Sequence, residues 1–406
     1  MVISLRFLGQ EKPISLMPLL QGMDENLGLS SKRNNILFAT DLPMLLNEHQ
    51  VLQELRPLQS QVAGHSAANG KSSLGMLLHP DGYVLKPAEK KTQGENEIRF
   101  YKHLISAVDA VSQELQEYVP KFYGTRIITI NGRDITCLAL ENVTEGMLEP
   151  CVMDVKIGKQ TWEPNASEEK KNTEKEKYVE SKRECGFCIP GMQFYDIASH
   201  KLIKYGKEYG KQLDRNGIKN ALKLFLNWSS SMSHPIIEQF LCKLWKILKW
   251  FKSQRQFLFY SSSLLFVYDA HPLRSYSSSA SAVLGAESHQ ESSSQSSQVC
   301  TVDDLFVRIN ACPLSGGGDG TEWNVWKSDC WKCCDKSQKK FSRESACDSK
   351  LADIKMIDFA HTLISSEFSI DSNYLEGLEN LVTMFEVLLK ESSVNDLKKV
   401  SSSHLQ

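Results

Sequence analysis

One run constrains this chain more than any other: Pro150-Cys151-Val152-Met153-Asp154-Val155-Lys156-Ile157-Gly158. In an extended segment successive side chains point to opposite faces, so Asp154 and Lys156 share one face while Met153, Val155 and Ile157 pack on the other. The fold must therefore bury one side of this strand and hold an acid and an amine on its other side. A fixed cation beside a reacting hydroxyl, with a fixed carboxylate beside that hydroxyl or a ribose, suits phosphoryl transfer. Taken alone, an acid and an amine two residues apart describe a solvated edge-strand ion pair equally well.

Two further runs follow in order, Ser262-Ser263-Leu264-Leu265 and Ile357-Asp358-Phe359. With Pro-x-x-x-Asp-x-Lys-x-Gly at Pro150 to Gly158, they make the chain resemble the inositol polyphosphate kinase family from about Gln61 to Leu389, interrupted by one insert. The likeness leans towards the multikinase branch through Leu140-Glu141-Asn142-Val143-Thr144, Phe259-Tyr260 and Met356-Ile357-Asp358-Phe359-Ala360-His361. The resemblance implies an α+β, two-lobed fold of the protein-kinase/ATP-grasp kind, with ATP and Mg2+ as cofactors. It implies transfer of the γ-phosphoryl group to hydroxyls of inositol tris- and tetrakisphosphates, giving the pentakisphosphate. Phosphoinositide headgroups are further candidate acceptors, and nucleus and cytoplasm the expected location.

Inositol trisphosphate 3-kinases and inositol hexakisphosphate kinases are the rival readings within the family, and the short segment between Gly158 and Gly186 favours the multikinases. A reading of another class is a nuclear scaffold that works through its extension and insert. Intact Lys86, Asp154, Lys156 and Asp358 argue for an enzyme instead.

Composition narrows the rest. The chain has 406 residues, 41% of them hydrophobic, enough for a sizeable core and more than one domain. A net charge of −2 with 24% charged residues gives no global attraction for nucleic acid, so any polyphosphate site must be local. Eleven cysteines without even spacing, behind a start that lacks an apolar leader, point to reduced thiols inside a cell. The stretch from Ile236 to Phe251 is interrupted by Glu238, Lys243, Lys246 and Lys249, and no transmembrane segment is expected.

In chain order, 1–57 reads as a poorly ordered N-terminal extension and 58–140 as the N-terminal lobe. Residues 141–269 open the C-terminal lobe, with an inositol-phosphate-binding segment at 159–185. A Ser-rich, low-complexity insert at 270–350 carries possible protein contacts; 351–392 completes the lobe, and 393–406 is a tail. Gly75 to Lys86 reads as two strands joined by an Asp81-Gly82 turn. Lys86 ends a strand and Glu97 lies in the following helix, the arrangement by which kinases hold nucleotide phosphates; Lys90 and Lys91 nearby leave an ordinary surface lysine open. Spacing predicts a helix over Ile98 to Tyr118 stopped by Pro120, then a hairpin around Asn131-Gly132. The resemblance makes Glu141 to Val143 the hinge between lobes, where backbone groups of Glu141 and Val143 read the adenine edge.

Beyond the signature, Glu168 to Tyr178 reads as a helix that places Lys170, Thr173 and Lys177 on one face. A solvated mixed-charge helix has the same pattern. The resemblance assigns Lys170 and Lys177 to the inositol phosphates. Thr173, Gln193 and Gln93 stand where glutamine, arginine and arginine are expected; each change removes a phosphate donor, and Lys207 is the candidate replacement.

Helical periodicity marks Gly217 to Leu226 and Pro235 to Ser253; the second, though basic, reads as core through Phe240, Leu241, Leu244, Trp245, Leu248 and Phe251 rather than as a calmodulin target. Loop closure costs grow only logarithmically with length, so strands at Leu264 and Ile354 still pair across the insert. Cys185 with Cys188, and Cys330, Cys333 and Cys334, lack zinc-site spacing, and Lys336, Lys339, Lys340 and Arg343 form a weak basic cluster. A lone carboxylate ending an apolar strand beside a nucleotide suits magnesium, which makes Asp358 the metal ligand. His361 is either a substrate-phosphate contact, as in the family, or a satisfied loop histidine. Tyr374 to Leu389 reads as a closing helix. Asp154 is left as ribose ligand or base, and Lys156 as the bridge between phosphoryl group and acceptor.

Overall fold

The computed structural model describes residues 3–7, 55–64, 74–230, 232–274 and 351–403. Their strands form two main sheets with a cleft between. The first has the order β1-β5-β6-β4-β3-β2, from Ile3–Phe7 (β1), Arg56–Pro57 (β2), Leu77–Leu78 (β3), Val84–Pro87 (β4), Phe122–Ile130 (β5) and Arg133–Leu140 (β6). Helices α1 (Lys91–Ser106) and α2 (Ala110–Gln116) belong to this lobe. The second sheet has the order β12-β11-β7-β8-β9, from Pro150–Ile157 (β7), Phe187–Tyr195 (β8), Leu202–Tyr205 (β9), Ser263–Asp269 (β11) and Ala352–Ile357 (β12). Phe257–Phe259 (β10) and Thr362–Ile364 (β13) make a separate ribbon. Around the second sheet run α3 (Glu168–Lys175), α4 (Val179–Cys185), α5 (Lys207–Lys211), α6 (Arg215–Phe225), α7 (Ser233–Ser253) and α8 (Ser372–Ser403). This is the expected two-lobed α+β arrangement.

Local chemistry explains the joints. Asn131 and Gly132 take φ of 52° and 73°, the left-handed pair a two-residue hairpin turn needs, and Ile130 pairs with Arg133 across it. Strand β7 lies inside its sheet, with Met153, Val155 and Ile157 fully buried in the main core. Gly158 ends it at φ +100°, where a Cβ would sit 2.5 Å from the Asn373 amide, so the signature glycine is required twice over. Helix α7 buries Ile236, Phe240, Leu241, Leu244, Ile247 and Phe251. Its Trp250 indole donates to the Val111 carbonyl at 2.9 Å, which ties α7 to the other lobe.

The lobes are also locked through Phe359, stacked on Phe100 of α1 at 4.2 Å, and through buried Lys355, which donates to the Val119 carbonyl at 3.2 Å.

Four expectations change. The helix expected over Ile98 to Tyr118 is two helices: α1 starts at Lys91, and α2 starts after Asp109, whose carboxylate accepts from the Ser112 amide at 2.9 Å. That N-cap restarts the helix, and Val108, counted as apolar face, stands 89% exposed in the break. Within the expected N-terminal extension, Ile3–Phe7 pairs along β5 and Arg56–Pro57 along β3. The helix of the inositol-phosphate segment stops at Lys175, so Lys177 lies beyond it rather than on its face. The closing helix continues from Ser372 to Ser403, into the expected tail. Pairing across the insert follows expectation, with Leu264 opposite Met356 and Phe266 opposite Ile354. The insert's remaining features, including Cys330 to Cys334 and the Lys336 to Arg343 cluster, lie outside the described residues.

Candidate active site

A cavity of about 380 Å³ opens between the sheets. Its walls are apolar, with Val84, Leu140, Val152 and Leu265 among them, and its far end is charged, with Lys86, Asp154, Lys156, Asp358 and His361. Glu141 and Val143 line it where the chain crosses between lobes. The Glu141 amide donates to the Lys121 carbonyl at 2.8 Å, and its carboxylate accepts from the Lys121 amide at 3.0 Å, which fixes the crossing segment.

The charged end is built around Lys86. Its ammonium reaches Glu97 Oε1 at 2.8 Å and Asp358 Oδ1 at 2.5 Å, so one cation from β4 joins an acid of α1 to an acid of the other lobe. Burial works against this charge, but the Asp358 and Glu97 carboxylates outweigh it and hold the pKa above the ordinary lysine value. Glu97 Oε1 also accepts from the Phe359 amide at 3.2 Å, which fixes the residue after Asp358. Asp358 itself has φ +65°, a left-handed conformation that aspartate tolerates better than most side chains. Burial raises its pKa, yet Lys86, then Lys156 and His361, bring it below the ordinary range and keep it an anion.

Asp154 is the opposite case. It is 5% exposed and its Oδ1 has no hydrogen-bond partner at donor distance. Burial first, and then the Asp358 charge, push its pKa up to about 6; Lys156 and the nearby Ser263 hydroxyl only partly offset them. Lys156 donates to Ser261 Oγ at 2.7 Å, and Ser262 donates to the Ile357 carbonyl at 2.8 Å, so the serine turn before β11 braces both neighbouring strands.

The residues expected to meet the acceptor are arranged differently. Lys170 meets Glu163 Oε2 at 2.9 Å, and His361 Nδ1 meets Glu163 Oε1. Gln93 faces the other imidazole nitrogen at 3.3 Å. Lys177 pairs with Glu174 at 2.6 Å. Lys207 is exposed at the start of α5. None of Lys170, Lys177 and Lys207 lines the cavity, whereas His361 and Gln93 do. Gln193, which stands where an arginine phosphate donor is expected, is buried in β8 and donates to the Pro150 carbonyl at 3.0 Å. Cys185 and Cys188 are buried free thiols, their pKa values pushed up by burial to about 11 and about 12.

Two residues, Glu163 and Lys182, carry no signal of their own in the sequence. Glu163 was hidden because its partners lie on separate elements. Ser261 sits just before the Ser262 motif, with φ +58°. Lys182, 5% exposed, donates to the Glu174 carbonyl at 2.6 Å and so closes the end of α3; its place four residues before Gly186 carried no periodic signal.

A kinase of small polyphosphates is the class that such a cleft and its cations describe. The family model for inositol polyphosphate kinase matches residues 137–386, and the chain belongs to that family. Inositol polyphosphate multikinase of Rattus norvegicus is 30% identical over 371 residues, covering 82% of this chain and 92% of the relative. The Homo sapiens protein of that name is 30% identical over 378 residues, covering 82% and 88%. The solved inositol phosphate multikinase Ipk2 from S. cerevisiae, in complex with ADP and Mn2+, has 22% identity and a TM-score of 0.48, covering 76% of this chain and 99% of that one.

Proposed function

We propose that this chain is an inositol polyphosphate multikinase, passing the γ-phosphoryl group of ATP to hydroxyls of inositol tris- and tetrakisphosphates, with the pentakisphosphate as end product. One observation carries the reading: the Lys86 ammonium held between Glu97 and Asp358 at the charged end of an apolar cleft. An adenine fits between the apolar walls, with the backbone at Glu141 and Val143 within reach of its edge. Lys86 then holds nucleotide phosphates, and Asp154 the ribose or the acceptor hydroxyl.

Magnesium fits the donor set. Asp358 is kept ionised, and the buried Asp154 Oδ1 is an oxygen to which no protein group donates a hydrogen bond. Held by Asp358, such an ion would supply charge neutralisation at the phosphate oxygens. Lys156, two residues along β7 from Asp154 and lining the same cavity, neutralises the transferring group and orients the acceptor. Loose phosphoryl transition states ask little of a base, so the part of Asp154 is positioning. Lys170, Lys177, Lys207 and His361 bind acceptor phosphates, and phosphoinositide headgroups offer the same chemistry. The working location is nucleus and cytoplasm.

The test is radiolabelled phosphate transfer from magnesium ATP to inositol trisphosphate by the full chain and by Lys156→Met. Transfer by the former and its loss in the latter support the reading. Transfer that survives Lys156→Met removes Lys156 from the mechanism.

A further inference from the structure

The end of β7 is held by a helix remote in sequence. The register of β7 against β8 is irregular between Asp154 and Lys156, and past the strand the Gly158 amide donates to the Gly186 carbonyl at 2.8 Å. Such an irregularity re-aims the side chains beside it, so their final direction depends on what anchors the strand end. Both backbone groups of Gln160 bond one side chain there. Its N–H donates to Asn373 Oδ1 at 2.9 Å, and its carbonyl accepts from Asn373 Nδ2 at 3.0 Å. One amide of α8 thus supplies the donor and the acceptor that a neighbouring strand would. Helix α8 comes this close because Gly377 has no Cβ, which would sit 2.3 Å from the Gly186 carbonyl oxygen.

The same end of α8 reaches the other support of Lys156. Buried Asp371 accepts from the Tyr374 amide at 3.0 Å and from the Phe259 amide at 2.6 Å. Phe259 leads directly into the turn of Ser261, whose hydroxyl receives the Lys156 ammonium at 2.7 Å. Lys156 and Ser261 both line the cavity, and the start of α8 braces the backbone of the one and the turn of the other.

We propose that Asn373 is a positioning residue for phosphoryl transfer: by clamping Gln160 it sets where the Lys156 ammonium stands in the cleft. The inference rests on reading Lys156 as the group that meets the transferring phosphoryl.

Steady-state transfer from magnesium ATP to inositol trisphosphate by the full chain tests it, with kcat counted per nucleotide-binding site. Asn373→Leu keeps the size of the side chain and removes both bonds. Since a displacement of about 1 Å at a reacting centre costs on the order of a hundredfold, kcat should fall about thirtyfold. ATP KM should stay within about twofold, because Lys86 is held by Glu97 and Asp358 instead. Asn373→Asp keeps the acceptor for the Gln160 N–H and loses only the donor, so its kcat should fall about fivefold. Glu376→Gln, which breaks the exposed ion pair with Lys159 one turn along, should leave kcat within about twofold. An ATP KM that rises in step with the fall in kcat, or a Glu376→Gln loss as large as that of Asn373→Leu, marks helix docking in general and overturns the proposal. Should Asn373→Leu bind no nucleotide, Asn373→Asp decides alone, and an unchanged kcat overturns the proposal. Wild-type transfer with Asn373→Leu equally active sinks the part of Asn373 only; a wild-type chain that transfers nothing fails the kinase reading and takes this proposal with it.

Discussion

The two ends of the cleft hold their charges in different ways. At the nucleotide end, Lys86, Glu97 and Asp358 come from β4, α1 and the end of β12, and each bond crosses between elements. At the acceptor end, Lys177 pairs with Glu174 three residues away and Lys170 with Glu163 seven residues away, with lysine side chains 43% and 35% exposed, and the Glu163 contact with His361 is the cross-element bond described there. Charges fixed by separate elements cannot relax when one is removed, whereas exposed local pairs are screened and replaceable. The nucleotide end is therefore the rigid part of the catalyst and the acceptor end the adjustable part. Substrate choice can shift at that end without disturbing the chemistry.

Substitutions should break this contrast unevenly. Asp358→Ala removes the proposed metal ligand and the partner of Lys86 together, and should lower kcat on the order of a thousandfold. A loss below about tenfold, read by radiolabelled transfer, would remove Asp358 from the centre. Lys86→Met should cost about a hundredfold in kcat/KM, mostly as a higher KM for ATP with acceptor KM unmoved, in steady-state assays of both substrates.

Asp154 gives the contrast a pH dependence. Its pKa rises from the ordinary 3.8 to about 6 in the folded chain, so folding takes up a proton between those values and stability falls as pH rises through them. At about 1.4 kcal/mol per pH unit of difference, ionisation costs about 3 kcal/mol above pH 6 in the absence of nucleotide and metal. Asp154→Asn should lose activity yet be more stable at neutral pH, by a margin that vanishes towards pH 4. Denaturant midpoints across that range check it, and a margin independent of pH would contradict it.

At the acceptor end, Lys170→Ala should raise acceptor KM about tenfold with ATP KM unchanged. Lys207→Ala, removing an exposed cation, should raise it about twofold, and more steeply at low salt. Equal effects from Lys170 and Lys86 on ATP KM would erase the distinction between the ends.

Much of the frame was legible in the sequence because it rests on local rules. Asn131-Gly132 named its hairpin, alternation put Met153, Val155 and Ile157 in the core, and weak length dependence of closure let Leu264 and Met356 pair across the insert. Lys86, Glu97, Asp154, Lys156 and Asp358 do line one cavity. What escaped depends on approach in space. Asp109 as an N-cap outcompeted an unbroken apolar spacing. Ile3–Phe7 found a sheet edge that no local pattern announces. Glu163 draws its meaning from His361, which is remote in sequence, and the burial of Gln193, standing where an arginine phosphate donor is expected, follows from the layer its strand position enters, which sequence alone does not give.

The central claim is that this cleft phosphorylates inositol polyphosphates in succession. Chromatographic separation of the products formed from inositol trisphosphate and magnesium ATP tests it most directly. The account predicts tetrakisphosphate appearing first and pentakisphosphate accumulating after it, with neither formed by Asp358→Ala. A product series that stops at tetrakisphosphate, or the absence of any labelled inositol phosphate, would contradict it.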